Sequence, residues 1–145
     1  QDKAVLPVGT IIASRGYFLV GSKSYVGYVV PDMVLAIDIG LAGDSGHVRL
    51  GTQDVTTAKV DPEEVDRLGY GPSADTAEGG SKTAATTAFL QTFERKATPG
   101  STPASMSPGG GDELKGNGLD TDMNGTDFIV RPLRDPQNSS SPTEP

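Results

Sequence analysis

Cysteine is absent from the 145 residues, and with it disulfides, thiolate chemistry and Cys-ligated zinc. Tryptophan is absent too, and there is one histidine. No apolar run reaches the roughly 20 residues of a membrane-spanning helix. The longest, around Val26 to Ile39, is broken by Gly27, Pro31, Asp32 and Asp38. No Lys/Arg cluster is present, and 12 basic against 19 acidic residues leave a net charge of −7. A surface of that sign repels phosphate backbones and anionic lipid, so direct nucleic-acid binding is not expected. The glycine runs at 109–111 and 116–118 lack the flanking strand and helix that phosphate cradling requires. No signal-peptide pattern occurs. The chain opens on Gln1 rather than Met, so its start is expected to follow a processing site, an artificial boundary or a break in a longer chain.

What is abundant is turn chemistry. Gly 19 and Pro 11 are together about a fifth of the chain, against roughly 12 % in average usage. A length of 145 residues suffices for one domain with a modest core, and with 34 % apolar residues part of the chain is expected to stay on the surface or be irregular. Tyr17 to Val20, aromatic and branched between glycines, predicts a buried strand, and Thr10 to Ile12 a shorter one before it. His47 to Leu50 alternates and predicts a half-buried strand. Further strands are expected over Glu64 to Tyr70, with Val65 and Leu68 as core anchors, over Phe89 to Arg95, and over Phe128 to Val130. Residues 72–88 read as a long surface loop and 97–115 as a mobile low-complexity segment. The tail 136–145 has no apolar anchor and is expected to be extended or disordered. Short strands with glycine-rich turns define an all-β chain, most simply a β-sandwich over residues 1–135.

The pieces GYFLV, GHVRL, VDRLGYG, an AEGG loop, LQTFERK, GNGLDTDMNGTDF and RDPQNSSSPTEP follow one another in that order. This order resembles the lamin tail domain family in its bacterial form, over roughly residues 5 to 140. The resemblance implies an immunoglobulin-like β-sandwich with long irregular loops and no catalytic residues. It also implies an exported bacterial protein, located outside the cell or on its surface, with a binding or structural role. The family's opening strands and its Gly-Trp turn have no counterpart here. The chain is therefore expected to lack its first strands, which an upstream segment or a neighbouring protein would supply by strand addition.

The chemistry concentrates in residues 116–128. Asp120, Asp122 and Asn124 take positions 1, 3 and 5 of a calcium loop, and Gly125 takes position 6. Position 12, normally a bidentate Glu, is Arg131, and Asp127 could contribute only in a loop of different shape. Asp120, Asp122, Asn124 and Asp127 are thus a candidate calcium site, with Glu78 and Glu94 as further oxygens if folding brings them near. The competing reading is a structural turn, since Asp and Asn side chains cap their own backbone. Asn124 and Asn138 also open glycosylation-acceptor triplets. Asp44, Ser45 and His47 sit too close in sequence to suggest a triad, which is assembled in space, and no enzyme is expected. Tyr25 and Tyr28, in an irregular stretch, are candidate interface anchors, while Tyr17 and Tyr70 are expected to pack inside.

The expected function is a non-catalytic structural or adhesive module of a surface assembly or multi-subunit complex. The alternative is an accessory module of an extracellular enzyme, such as a nuclease, that binds substrate or cell wall.

Overall fold

A computed structural model describes residues 3–88 and 90–145. Its regular structure is β1 (Val20–Gly21), β2 (Met33–Val34), β3 (Gly46–Gly51), β4 (Glu64–Tyr70), β5 (Thr92–Arg95), α1 (Asn124–Asp127) and β6 (Phe128–Arg131), with a 3-10 turn at Glu78–Gly80. The fold is β-rich, and its α-helix is a single turn. No helix among the described residues is long and apolar enough to cross a membrane. The chain forms two units, Gln1–Leu41 with Asp135–Pro145, and Ala42–Arg134.

In the first unit β1 and β2 run parallel, Val20 opposite Met33 and Gly21 opposite Val34. Asp32 accepts the Leu19 N–H at 2.7 Å, and Asp38 accepts the Ser24 N–H at 2.7 Å. Leu35 is buried, whereas Val8, Ile11, Val26 and Val30 are exposed. The strand expected at 10–12 does not form. A strand needs a partner for its backbone groups, and here the Thr10 N–H and hydroxyl both turn back to the Pro7 carbonyl, at 3.0 and 2.7 Å. Of Tyr17 to Val20, Val20 alone enters a ladder. The tail, residues 136–145, hydrogen-bonds within this unit through Asn138, Ser139 and Glu144.

In the second unit β3 and β4 form an antiparallel pair from Gly46 opposite Tyr70 to Gly51 opposite Glu64, with an irregularity between Leu50 and Gly51. β5 and β6 form another, from Thr92 opposite Arg131 to Arg95 opposite Phe128. The expected strands over 47–50, 64–70 and 128–130 are present. That expected over 89–95 is present from Thr92, while Phe89 lies outside the described residues. The ring of Tyr70, 2 % exposed, packs on Phe93 with centroids 4.5 Å apart, and its hydroxyl donates to the Ala42 carbonyl at 2.6 Å. Gly71 follows at φ 73°, where a Cβ would also run into the Asp44 carbonyl, so glycine is required.

The loop at 72–88 lies on the surface, as expected, and is pinned to it at Ala74, Thr76 and Thr83, which are buried. Thr83 is 4 % exposed and exchanges backbone hydrogen bonds with Gly69 and Gly71 at 2.9 and 2.8 Å. The segment read as mobile, 97–115, is folded on itself. Asp112 accepts Ser105 Oγ at 2.7 Å, Ser101 Oγ at 3.1 Å and Lys115 Nζ at 2.8 Å, and Met106 is buried within the loop. Composition missed this because the closing contacts are polar and the one apolar plug is a single methionine.

The two faces of β3–β4 are unequal. Side chains alternate along a strand, so Val48 and Leu50 share a face, and Arg49 points the other way. Arg49 Nε meets Glu64 at 3.1 Å, and Glu64 also accepts from Arg67 at 2.6 Å. The loop before β4 covers this charged face: Arg49 donates to the Ala58 carbonyl at 2.5 Å and Arg67 to the Lys59 carbonyl at 2.9 Å. The other face carries Val48 and Leu50, 44 % and 58 % exposed, together with Leu68 and Asp66, and its Tyr70 end is closed by Phe93. Val65, expected in the core, lies beside the irregular register and is 70 % exposed, while Leu68 is half-buried.

Candidate functional site

The turn before β6 is organised by two fully buried polar side chains, Asn124 and Asp127, both in α1. Asn124 Oδ1 accepts the Gly69 N–H at 2.7 Å and the Glu78 N–H at 3.1 Å. Its amide donates to the Arg67 carbonyl at 2.7 Å and to Glu78 Oε2 at 2.8 Å. All of the side chain's hydrogen-bonding capacity is therefore spent on joining α1, β4 and the 3-10 turn. Gly125 packs closely on the same loop: a Cβ there would displace the Ser81 hydroxyl, and the Gly125 N–H donates to the Ser81 carbonyl at 2.9 Å.

Asp127 works within its own turn. Its carboxylate accepts the Thr121 N–H at 2.9 Å, the Thr121 hydroxyl at 2.7 Å and the Met123 N–H at 3.1 Å. Burial pushes its pKa up, but the Thr121 and Met123 donors and the Arg95 charge outweigh burial and hold it below the ordinary carboxylate value. Arg95 lies at the centre of the surrounding charges. It pairs with Asp66 at 2.6 Å and Asp120 at 3.2 Å, approaches Asp127 at 4.0 Å, and stacks 4.5 Å over the Phe128 ring. Burial, with the Asp66 charge nearby, raises the pKa of Glu78, and the Arg67 N–H and Arg95 oppose that only partly.

The four candidate calcium ligands are thus divided. Asn124 and Asp127 point into the protein and are saturated by N–H and O–H donors. Asp120 faces Arg95 and accepts the Asp122 N–H at 3.3 Å, and Asp122 is exposed at a left-handed φ of 56°. A calcium ion needs six to eight oxygens, and at this loop it would have to take them from these donors. Among the described residues no group of three or more His, Asp or Glu side chains is arranged to hold a metal ion. Glu78 does join Asn124. Glu94 instead pairs with Arg131 at 2.6 Å. Arg131, the residue at position 12 of the calcium pattern, is therefore part of an ion pair between β5 and β6.

The remaining candidates separate as well. Ser45 Oγ accepts the Ser73 N–H at 2.9 Å, and His47 Nδ1 faces Asp75 at 3.2 Å. Tyr28 is exposed, and its hydroxyl donates to Asp135 at 2.8 Å. Tyr25 is half-buried, its ring folded against Gly27, and its hydroxyl has no hydrogen-bond partner among the described residues. Sequence reading passed over Arg95. The signal was its place at the end of an alternating strand, followed by a run of acids that needed a counter-charge. In comparisons with known proteins, no family model, curated protein or solved structure matches the chain.

Proposed function

We propose that the chain is a non-catalytic structural or adhesive module of a bacterial extracellular or cell-surface assembly, an immunoglobulin-like sandwich of the lamin-tail type whose sheets are completed by a partner. The observation that carries this reading is the exposure of Val48 and Leu50 on β3, on the face of the β3–β4 pair whose far end Tyr70 closes against Phe93. The described sheets are all two-stranded, and the outer edge of β4 is already taken by Thr83 and Asn124. Exposed apolar residues grouped on one face of a sheet are a feature through which a partner docks. The polar groups of the candidate site are consumed by structural bonds, which favours a scaffold over a reaction centre.

The test is the behaviour of the chain alone, as wild type and as the Val48→Lys, Leu50→Lys variant. The wild type should bind an apolar dye and self-associate. The variant should lose the dye and self-associate less, while keeping its melting transition. A wild type that stays monomeric at high concentration and ignores the dye would sink the reading.

Calcium at residues 120–127 belongs to the same proposal, with Asp120 and Asp122 as the solvent-facing carboxylates. An ion that binds the native state raises the melting temperature over that in EDTA, and an unmoved transition leaves the segment as a turn. The second reading is an accessory module of an extracellular enzyme, for which the net charge of −7 favours a cell-wall or protein ligand over nucleic acid.

A further inference from the structure

The chain ends DPQNSSSPTEP, without an apolar anchor, yet these residues engage the N-terminal stretch through a specific set of groups. Asn138 donates its side-chain amide to the Val30 carbonyl at 2.9 Å. Ser139 gives its N–H to one Asp32 oxygen at 2.9 Å and its hydroxyl to the other. Farther along, the Glu144 N–H reaches the Arg15 carbonyl at 3.1 Å. Glu144 itself is 7 % exposed and accepts Gln137 Nε2 at 2.7 Å.

Both sides of this contact also make bonds of their own. Asp32 is held by the Leu19 N–H at 2.7 Å, next to β1. Arg15 holds a left-handed φ of 58°, unfavourable for a residue with a Cβ. On the tail, Asn138 Oδ1 accepts the Ser140 N–H at 3.0 Å, and the Ser141 N–H returns to the Asn138 carbonyl at 2.9 Å. This turn, with the fixed φ of Pro136 and Pro142, lowers the entropy lost on docking.

A carboxylate that takes the N–H and O–H of one serine, beside a carbonyl that takes the preceding side-chain amide, reads an Asn-Ser pair. The contacts are polar and Ser139 is exposed, so water competes for them and docking is reversible. Pro132, Leu133 and Arg134, which lead into the tail, are exposed as well.

We propose that Asp32, Val30 and Arg15 form a peptide-recognition site for the 135–145 segment, occupied here by the chain's own tail and open to the tail of a second copy. Every copy carries both halves, so exchange in trans joins copies without any new surface. This inference is independent of the function proposed above.

The probe is a labelled synthetic peptide of residues 135–145, titrated into the full chain as wild type, Ser139→Ala and Asp32→Asn. In the wild type the peptide competes with a tail present at a high effective concentration. Ser139→Ala weakens that competitor and leaves the site intact, so the apparent affinity for the wild-type peptide should rise about fivefold. Asp32→Asn should abolish binding, and a peptide with alanine at both Asn138 and Ser139 should not bind any form. No gain in the Ser139→Ala chain, or equal binding of the alanine peptide, overturns the assignment, and neither result depends on how well Asp32→Asn folds. Sedimentation tests the exchange: pairs at high concentration that excess peptide dissolves support it, and a monomer at every concentration overturns it.

Discussion

The N-terminal unit buries Leu35 as its apolar core among the described residues, whereas the central unit buries Tyr70, Ala74, Met106 and Ile129 around Asn124 and Asp127. In the first, carboxylates on the surface hold backbone turns, Asp32 on Leu19 and Ser139, Asp38 on Ser24. In the second, polar side chains do the same task away from water. A hydrogen bond made at the surface exchanges with water and adds little, while a buried group that loses its partner carries the full desolvation penalty. Stability should therefore be concentrated in residues 42–134, and hydrogen exchange should show the slowest amides in β4, β5 and β6.

Asn124→Ala should break the contrast most severely. It strands the Gly69 and Glu78 N–H groups and the Arg67 carbonyl, and should cost about 3 kcal/mol in a denaturant titration. Tyr70→Phe keeps the ring on Phe93 and loses the bond to the Ala42 carbonyl, for about 1 kcal/mol by the same titration.

Asp112→Asn sharpens the comparison inside the central unit, because it removes a surface clasp there. The donors from Lys115 and Ser105 hold the Asp112 pKa down to about 2. A depressed carboxylate stabilises the fold above its unfolded value, roughly 3.9, and that contribution disappears as the pH falls through about 2. The variant should melt below the wild type at neutral pH, and the two curves should converge toward pH 2. At the other extreme, Ile11→Ser in the N-terminal unit should change stability by less than about 0.5 kcal/mol, since Ile11 is 87 % exposed. A larger loss on thermal melting would mean that the stretch 5–12 is covered in solution.

The strands at 46–51, 64–70 and 128–131 were legible because alternation and bounding glycines are local signals. Thr10–Ile12 looked equally strand-like and is not one, because pairing is a property of two segments and no ladder reaches this one. In the candidate site, the residue types of 120–127 announced a polar turn. Whether their oxygens would face an ion or the backbone depended on Gly69, Glu78 and Arg95, which lie far away in sequence.

Composition and short-range pattern by themselves account for the acidic balance, the absence of thiol chemistry and the turn-rich β character. Each follows from residue type or short-range period. Tertiary structure alone decided that Asn124 is buried and saturated, that the loop before β4 covers Arg49 and Arg67, that 97–115 closes on Asp112, and that the tail docks on Asp32. Those outcomes turn on which donors and acceptors meet across tens of residues, and a buried polar group is stable only where its partners arrive.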